Sequence, residues 1–176
     1  MIVEAATGNE IGPELERRIF GPLRLRQTSF DTKPRIAGRH AHGYILVDKP
    51  PLRDTSVLSP SWGWTAGAIV STADDVARFY RALLRGRLLP PELLGTMETT
   101  IPTELGFGYG MGLVAPRLPC GLAWGHDGGF PGYRTFAFSS KDGTRQAILL
   151  VNLDEDSQSK KVIGAIESAL VGAYCG

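Results

Sequence analysis

Apolar residues recur every three or four positions along most of the first half of the chain and again at its end. This spacing predicts helices over residues 1–7, 10–20, 72–85, 90–97 and 157–174, each with one apolar face. Between residues 106 and 152 the pattern changes to short apolar runs bounded by glycine and polar residues. These runs predict strands at 106–114, 122–124, 133–138 and 147–152, the last two joined as a hairpin by the turn at 140–143.

Turn and capping residues mark the predicted ends of the helices. Gly8 ends the first helix, because a left-handed residue at that place favours glycine. Asn9 is predicted to cap the second helix, which exposes Glu14 to water and stops at the Gly-Pro pair of residues 21–22. Thr72 is predicted to cap the long third helix, since an acidic residue stands three positions later, and Gly86 is predicted to end it.

The predicted fold is α+β, with helices in the first half and an antiparallel sheet packed on a C-terminal helix in the second. Residues 24–60 hold many prolines and little periodicity, so they are predicted to be irregular, with one short strand at 42–47. A length of 176 residues fits one domain. We predict one domain over 1–176, mainly helical and irregular at 1–105 and built from sheet and C-terminal helix at 106–176.

Composition narrows the class of protein. Hydrophobic residues make up 43% and charged residues 21% of the chain, as in globular proteins. The 19 basic and 18 acidic residues give a formal charge of +1, which argues against binding to nucleic acid or to a membrane surface. No apolar run approaches the roughly 20 residues that cross a bilayer, and the first residues lack the basic and apolar regions of a signal peptide.

The two cysteines, Cys120 and Cys175, are too few for a disulfide scaffold. We predict that they are buried or bystander thiols, although the sequence leaves their pairing undetermined. As the chain stands it would be cytoplasmic, and with a signal-bearing N-terminal half it would be extracytoplasmic, so the compartment stays open.

The densest group of unusual residues is Trp-Gly-His-Asp-Gly-Gly-Phe-Pro-Gly-Tyr at 124–133. A histidine among glycines at a strand edge lets a substrate approach the backbone closely, because no Cβ stands in the way. Backbone amides there would polarise a carbonyl group. A glycine-rich hairpin turn with a surface histidine explains the same residues equally well.

Four stretches of the chain occur in a characteristic order: residues 3–8 with 18–23, residues 28–30, residues 66–79, and residues 126–133. Together they resemble the second half of serine β-lactamase-like hydrolases, which include class C β-lactamases, D-alanyl-D-alanine carboxypeptidases, D-amino-acid amidases or peptidases, and esterases. The first three stretches match the family's fold and the last its chemistry. The resemblance covers nearly all of the chain and implies a partial β-lactamase/transpeptidase-like domain.

The resemblance also implies a nucleophile that this chain lacks. The family attacks its acyl substrate with the serine of Ser-x-x-Lys, assisted by the tyrosine of Tyr-x-Asn, and both precede the histidine motif. No tyrosine here has asparagine two positions later. The literal Ser-x-x-Lys at Ser157–Lys160 follows the motif, and a helix cap explains Ser157. The chain alone is therefore predicted to be inactive, with activity that depends on an N-terminal half.

By this resemblance, His126 stands where other members have lysine and donates hydrogen bonds toward substrate and tyrosine. Gly129 offers its amide to the oxyanion hole, and Gly128 permits close approach of the substrate. Asp127 replaces the usual threonine or serine and would repel a substrate carboxylate, which favours ester or amine-bearing substrates. Trp62 is a candidate for lining the substrate cleft, with packing as the alternative.

Rival interpretations remain open at this stage. Together with an N-terminal half, the chain is predicted to act on a small-molecule or peptide-like acyl substrate without a cofactor or metal. Alternatively, it is a non-catalytic remnant that serves as an interaction or self-associating module. His40 and His42 form a His-x-His pair, so a third interpretation is a metal-dependent hydrolase, although the surrounding segment is typical of a loop.

Overall fold

The protein is an α+β structure in which short helices precede a larger antiparallel sheet. The computed structural model describes residues 2–46, 50–155 and 160–176. The helices are α1 Ile2–Thr7, α2 Ile11–Leu15, α3 Gly21–Leu23, α4 Trp64–Gly67, α5 Ala73–Leu84, α6 Pro91–Glu98 and α7 Lys160–Cys175. A π-helical turn, Glu16–Phe20, joins α2 to α3, and a 3-10 turn, Pro60–Trp62, precedes α4. The expected α+β class is confirmed.

The strands fall into one large sheet and three small ones. They are β1 Ser29–Phe30, β2 Tyr44–Leu46, β3 Arg53–Asp54, β4 Ile69–Val70, β5 Ile101–Pro102, β6 Gly108–Tyr109, β7 Val114–Ala115, β8 Arg117–Leu118, β9 Gly121–Leu122, β10 Trp124–Phe130, β11 Tyr133–Ser139, β12 Gln146–Val151 and β13 Leu153–Glu155. The large sheet has the order β12-β11-β10-β7-β6-β5, and the small sheets pair β1 with β4, β8 with β9, and β2 with β13 and β3.

The large sheet lies between α5 and α7. Ala137 packs with α5 residues Tyr80, Leu83 and Leu84. The next residue, Phe138, packs with Tyr174 of α7, together with Val114, Ala123 and Ala147. Successive strand residues point to opposite faces, so one strand, β11, contributes to both halves of the core.

The predicted strand at 106–114 is wrong as a single element. The chain forms β6 and β7 there, paired antiparallel and separated by a turn. Gly112 has φ +73°, a conformation that favours glycine, and the Gly110 amide donates to the Leu113 carbonyl at 2.7 Å. Likewise, the predicted strand at 122–124 is divided between β9 and β10.

The second helix differs from its prediction in three respects. Glu14 is buried rather than exposed to water, and it accepts hydrogen bonds from Arg17, Arg18 and Asn9. Asn9 therefore bonds a side chain, and the capping position belongs to Glu10. The helical path continues through residues 21–22, because a proline in the first turn of α3 has no amide that needs a partner.

Other capping predictions are confirmed. Gly8 follows α1 with φ +73°, and Gly86 follows α5 with φ +69°. Thr72 caps α5 by accepting from the Asp75 amide. The buried Asp75 carboxylate accepts from the Gln27 amide at 2.8 Å and from the Thr28 hydroxyl at 2.9 Å. The acid of the capping box thus fixes the irregular segment against α5.

Cys120 and Cys175 form a disulfide, so the prediction of two separate thiols is wrong. The bond joins the loop between β8 and β9 to the last residue of α7. Tyr174 strengthens the same junction, because its hydroxyl donates to the Leu122 carbonyl at 3.1 Å. The two cysteines are 55 residues apart in sequence, and only the packing of α7 against the sheet brings them together. Ser157 lies outside the described residues, and Lys160, the last residue of the serine-lysine pattern, is the first residue of α7.

Replacing Glu14 by glutamine is expected to destabilise the fold in a pH-dependent way. The hydrogen bond from Arg17 lowers the pKa of Glu14 from 4.5 to about 2, helped by Arg18 and Asn9 and opposed by burial. A lowered folded-state pKa stabilises the protein above pH 4.5 and loses that effect as the pH falls toward 2. Thermal unfolding of Glu14→Gln should show a lower Tm at pH 7 and a flatter acid dependence. Exposed Glu16→Gln is the control; equal pH profiles for both variants would refute the assignment.

Removal of the disulfide is expected to lower the free energy of unfolding by about 2–4 kcal/mol, because the unfolded chain gains conformational freedom. The measurement is urea unfolding of the wild type and of a Cys120→Ala, Cys175→Ala variant, each with and without reductant. Reductant should destabilise the wild type and leave the double variant unchanged. Two titratable thiols in the unreduced, denatured wild type would contradict the pairing.

Candidate active site

The histidine motif forms strand β10, which is paired unequally on its two sides. Along one side, every residue from Trp124 to Phe130 has a partner in β11. On the other side, β10 pairs with β7 at one position, Gly125 opposite Val114. Within the described part of the chain, residues 126–130 therefore present a free strand edge, which can accept an extended ligand by backbone hydrogen bonds.

Three glycines of β10 have different surroundings. A Cβ at Gly125 would lie 1.8 Å from the Ala137 carbonyl oxygen, so this glycine allows β10 and β11 to approach. A Cβ at Gly129 would lie 3.0 Å from a guanidinium nitrogen of Arg134. At Gly128 no atom lies within 4 Å of the added Cβ, so the space above this residue is open. Gly128 is also on the same strand face as His126, two residues earlier.

The His126 imidazole has a partner at each nitrogen. Nε2 lies 2.7 Å from the Tyr109 hydroxyl, and Nδ1 contacts the carbonyl oxygen of Asp127. The rings of Tyr109 and His126 meet edge to face, with centroids 5.5 Å apart and an interplanar angle of 86°. In the described residues, neither ring nitrogen contacts a serine hydroxyl.

Asp127 gives this edge its negative charge. Its side chain is 54% exposed, and one carboxylate oxygen lies 3.9 Å from His126 Nδ1. Beneath it, burial raises the pKa of Tyr80 to about 12, and the charges of Asp127 and Tyr109 add to the shift. An exposed carboxylate beside the imidazole favours a cationic ligand group over an anionic one.

Trp62 lies at the far end of the motif. Its ring stacks on Phe130, the last residue of β10, at a centroid distance of 5.0 Å, and 67% of the residue remains exposed. Trp64 instead meets Phe30 edge to face. The turn after β10 is fixed by Thr55, whose hydroxyl donates to the Pro131 carbonyl at 2.8 Å. The structure thus brings Trp62 to the same strand as His126, Asp127, Gly128 and Gly129.

A cleft of about 860 Å³ opens between the sheet and the helical part of the chain. Gly128, Gly129 and Phe130 form part of one wall, and Thr28, Ser71 and Thr72 form part of the opposite wall. The volume is in the range of small-molecule sites. The cleft therefore reaches the free edge of β10 beside the open space at Gly128.

The His-x-His pair is tied to its own loop. His40 Nδ1 lies 2.9 Å from the Gly38 carbonyl, and His42 Nδ1 lies 2.7 Å from the Asp54 carboxylate. Hydrogen bonds from Ser56, supported by His42, lower the pKa of Asp54 to about 2. Among residues 2–46, 50–155 and 160–176, no group of three or more metal-ligating side chains is assembled. None of the helices described is both long and apolar enough to cross a membrane.

Comparison with known proteins establishes the family. The Beta-lactamase family model matches residues 1–169 of the chain. The chain belongs to the beta-lactamase family. This agrees with the β-lactamase/transpeptidase-like fold expected from the resemblance.

The individual relatives are larger hydrolases and penicillin-binding proteins. A D-stereospecific amidohydrolase from Streptomyces sp. superposes with a TM-score of 0.84 at 38% identity, over 93% of this chain and 50% of that one. The D-amino acid amidase of Ochrobactrum anthropi SV3 gives 0.83 at 25% identity, over 98% and 53%. Penicillin-binding protein 4* of Bacillus subtilis is 26% identical over 98% of this chain and 42% of its own length. The chain thus spans about half the length of these relatives.

Sequence reasoning missed two residues of the candidate site. Tyr109 is 17 positions before His126, and Phe130 is part of the histidine motif but has no predicted role of its own. The sequence does contain one indication for Tyr109. Glycines on both sides of an aromatic residue indicate that other atoms approach the backbone closely there. Nothing in the spacing connects it to the histidine, because the contact depends on how β6 and β7 fold back beside β10.

Alanine at Gly125 is expected to lower the free energy of unfolding strongly, whereas alanine at Gly128 is expected to change it little. Gly125→Ala forces β10 away from β11 and should cost about 3 kcal/mol or more of unfolding free energy. Gly128→Ala enters open space and should stay within about 0.5 kcal/mol of the wild type. Urea unfolding followed by circular dichroism measures both. Equal destabilisation by the two substitutions would show that the space above Gly128 is filled.

Proposed function

We propose that this chain forms the sheet side of an acyl-serine hydrolase site that cleaves an amide, ester or β-lactam bond. The single observation that carries the proposal is the free edge of β10 at residues 126–130, where the His126 imidazole and the open space at Gly128 share one face. A substrate strand or acyl-amide group placed along this edge would lie against exposed backbone groups with no side chain in between.

Each residue of the motif has a proposed role. His126 takes part in the proton transfers of acylation through Nε2, and in its protonated form it donates a hydrogen bond toward the substrate. The Gly129 amide stabilises the oxyanion that forms when a serine oxygen attacks the acyl carbon. Gly128 leaves room for the acyl group, and Trp62 with Phe130 offers an aromatic surface for its side chain. The serine proton ends on the leaving nitrogen or oxygen.

The proposed substrates carry an amine rather than a carboxylate close to the scissile bond. The exposed Asp127 carboxylate supports this, because it attracts an ammonium group and repels an acid. The names of two relatives, D-stereospecific amidohydrolase and D-amino acid amidase, fit an amine-bearing amide. The proposed substrate class is therefore small or peptide-like amides and esters of amino acids.

The nucleophile is proposed to come from outside these 176 residues. The chain has no Tyr-x-Asn, and its literal Ser-x-x-Lys follows the histidine motif. In the described residues, the imidazole of His126 contacts Tyr109 and Asp127 rather than a serine. We expect the reading frame upstream of Met1 to encode Ser-x-x-Lys followed by Tyr-x-Asn.

The test is hydrolysis of a short nitrophenyl ester, nitrocefin and a D-amino-acid nitroanilide. The purified chain should be inert and indistinguishable from His126→Ala. The product of the complete upstream frame should hydrolyse at least one substrate, and His126→Ala should reduce its kcat/KM about 10²–10⁴-fold. His42→Ala is the control and should leave that rate unchanged.

Two outcomes would overturn parts of this proposal. If the chain alone is active and His126→Ala abolishes the activity, a nucleophile lies within these residues, and Ser157 is the first to replace. If His42→Ala rather than His126→Ala removes activity, and a chelator does the same, the metal-dependent alternative is correct.

A non-catalytic association module is the second candidate function. It is favoured by the outer edge of β12, which pairs with no strand among the described residues and carries Leu150 at 45% exposure. Free edges pair with other strands when nothing covers them. A concentration-dependent dimer by sedimentation, together with an upstream frame that lacks Ser-x-x-Lys, would favour this candidate over the hydrolase.

A further inference from the structure

We infer that Tyr109 is a positioning residue for His126: its hydroxyl holds the neutral imidazole in the form that carries its proton on Nδ1 and its lone pair on Nε2. The 2.7 Å contact between the Tyr109 hydroxyl and Nε2 carries the inference. The catalytic meaning of this arrangement rests on the proposed hydrolase function. The arrangement itself is a property of the chain and is tested without any turnover.

The partners of the ring decide where its proton lies. Nδ1 faces the backbone carbonyl of Asp127, which can only accept a hydrogen bond. This contact favours a hydrogen on Nδ1, and in a neutral imidazole Nε2 is then an acceptor. The Tyr109 hydroxyl is the group that faces this lone pair, so it donates. The two contacts favour the same ring form.

The Tyr109 hydroxyl also serves the protonated ring. A tyrosine hydroxyl is a better donor than acceptor, which favours the Nε2 lone pair of the neutral ring, but it can rotate and accept from Nε2–H when the imidazole gains a proton. The ring thus keeps its place in both protonation states. A residue that binds only one of these states would move the imidazole during a proton transfer.

The backbone around Tyr109 leaves its side chain little freedom of position. A Cβ at Gly108 would lie 2.5 Å from Thr100 Oγ1, and one at Gly110 would lie 2.3 Å from the Met97 carbonyl oxygen. Tyr109 itself is paired on both sides, with Ile101 of β5 and Val114 of β7. The packed glycines and the two ladders therefore fix the point from which the phenol reaches His126.

The edge-to-face contact allows a substitution that removes the hydrogen bond and keeps the packing of the two rings. Tyr109→Phe keeps the ring at its 5.5 Å centroid distance from His126 and removes only the hydroxyl. Tyr174→Phe is the matched control, because it removes a hydroxyl bonded to a carbonyl elsewhere in the fold. A single cooperative thermal transition in each of the two variants, as in the wild type, would show that each remains folded.

The experiment is long-range ¹⁵N–¹H correlation NMR of the histidine rings in the purified chain at pH 8. The chain has 3 histidines, so His126→Gln identifies the signal and the other two rings serve as internal references. The wild type and Tyr174→Phe should show the Nδ1–H pattern at His126. Tyr109→Phe removes one of the two contacts that favour this form, so it should show a mixture in which the Nε2–H form, which the free side chain prefers, has increased.

The outcomes separate this inference from the proposed function. An unchanged His126 pattern in Tyr109→Phe, or an Nε2–H pattern in the wild type, would overturn the positioning role even if the complete protein needs His126 for turnover. A changed pattern in a complete protein that is inactive would leave the positioning role standing and overturn the hydrolase proposal. In an active protein, Tyr109→Phe should lower kcat/KM at least 10-fold, with a smaller loss for Tyr174→Phe.

Discussion

The unequal pairing of β10 on its two sides is the constraint on which the rest of the structure depends. Full pairing with β11 places the strand in the centre of the sheet and requires glycine at 125, because any Cβ would meet the Ala137 carbonyl. Pairing with β7 stops after that residue, so residues 126–130 have no strand partner on this side in the part of the chain that the structure describes. One strand is thus both a core element and an exposed edge, and the change occurs within a single residue.

The candidate site and the core are physically continuous. Opposite His126 in the ladder stands Ala137, which packs against Tyr80 and the other core residues of α5. Tyr80 in turn lies close enough to Asp127 and Tyr109 for their charges to raise its pKa. A change in the packing of α5 would therefore shift Ala137 and, through the strand pair, the position of the His126 imidazole. This continuity explains how a rigid sheet can hold an exposed histidine in one orientation.

The irregular segment of the chain positions the far end of the site. Asp75 fixes the backbone at Gln27 and Thr28, and Thr55 bonds the turn that follows β10. Between these anchors, the 3-10 turn brings Trp62 onto Phe130. Partly buried hydrogen bonds, rather than regular secondary structure, therefore define this end of the site. Such bonds are costly to leave unmade, which keeps an irregular segment in one conformation.

Local sequence determined the features that depend on neighbouring residues: the Thr72 cap, the left-handed glycines after α1 and α5, and the α+β order of the elements. It also identified the histidine motif, because glycines around a histidine are a local pattern. Tertiary structure decided what depends on distant partners. Glu14 is buried because three donors surround it, Cys120 meets Cys175 because α7 returns to the sheet, and Tyr109 reaches His126 because two short strands fold back beside β10. Periodicity reports how a residue relates to its own element, and these contacts join different elements, so only the packed fold could reveal them.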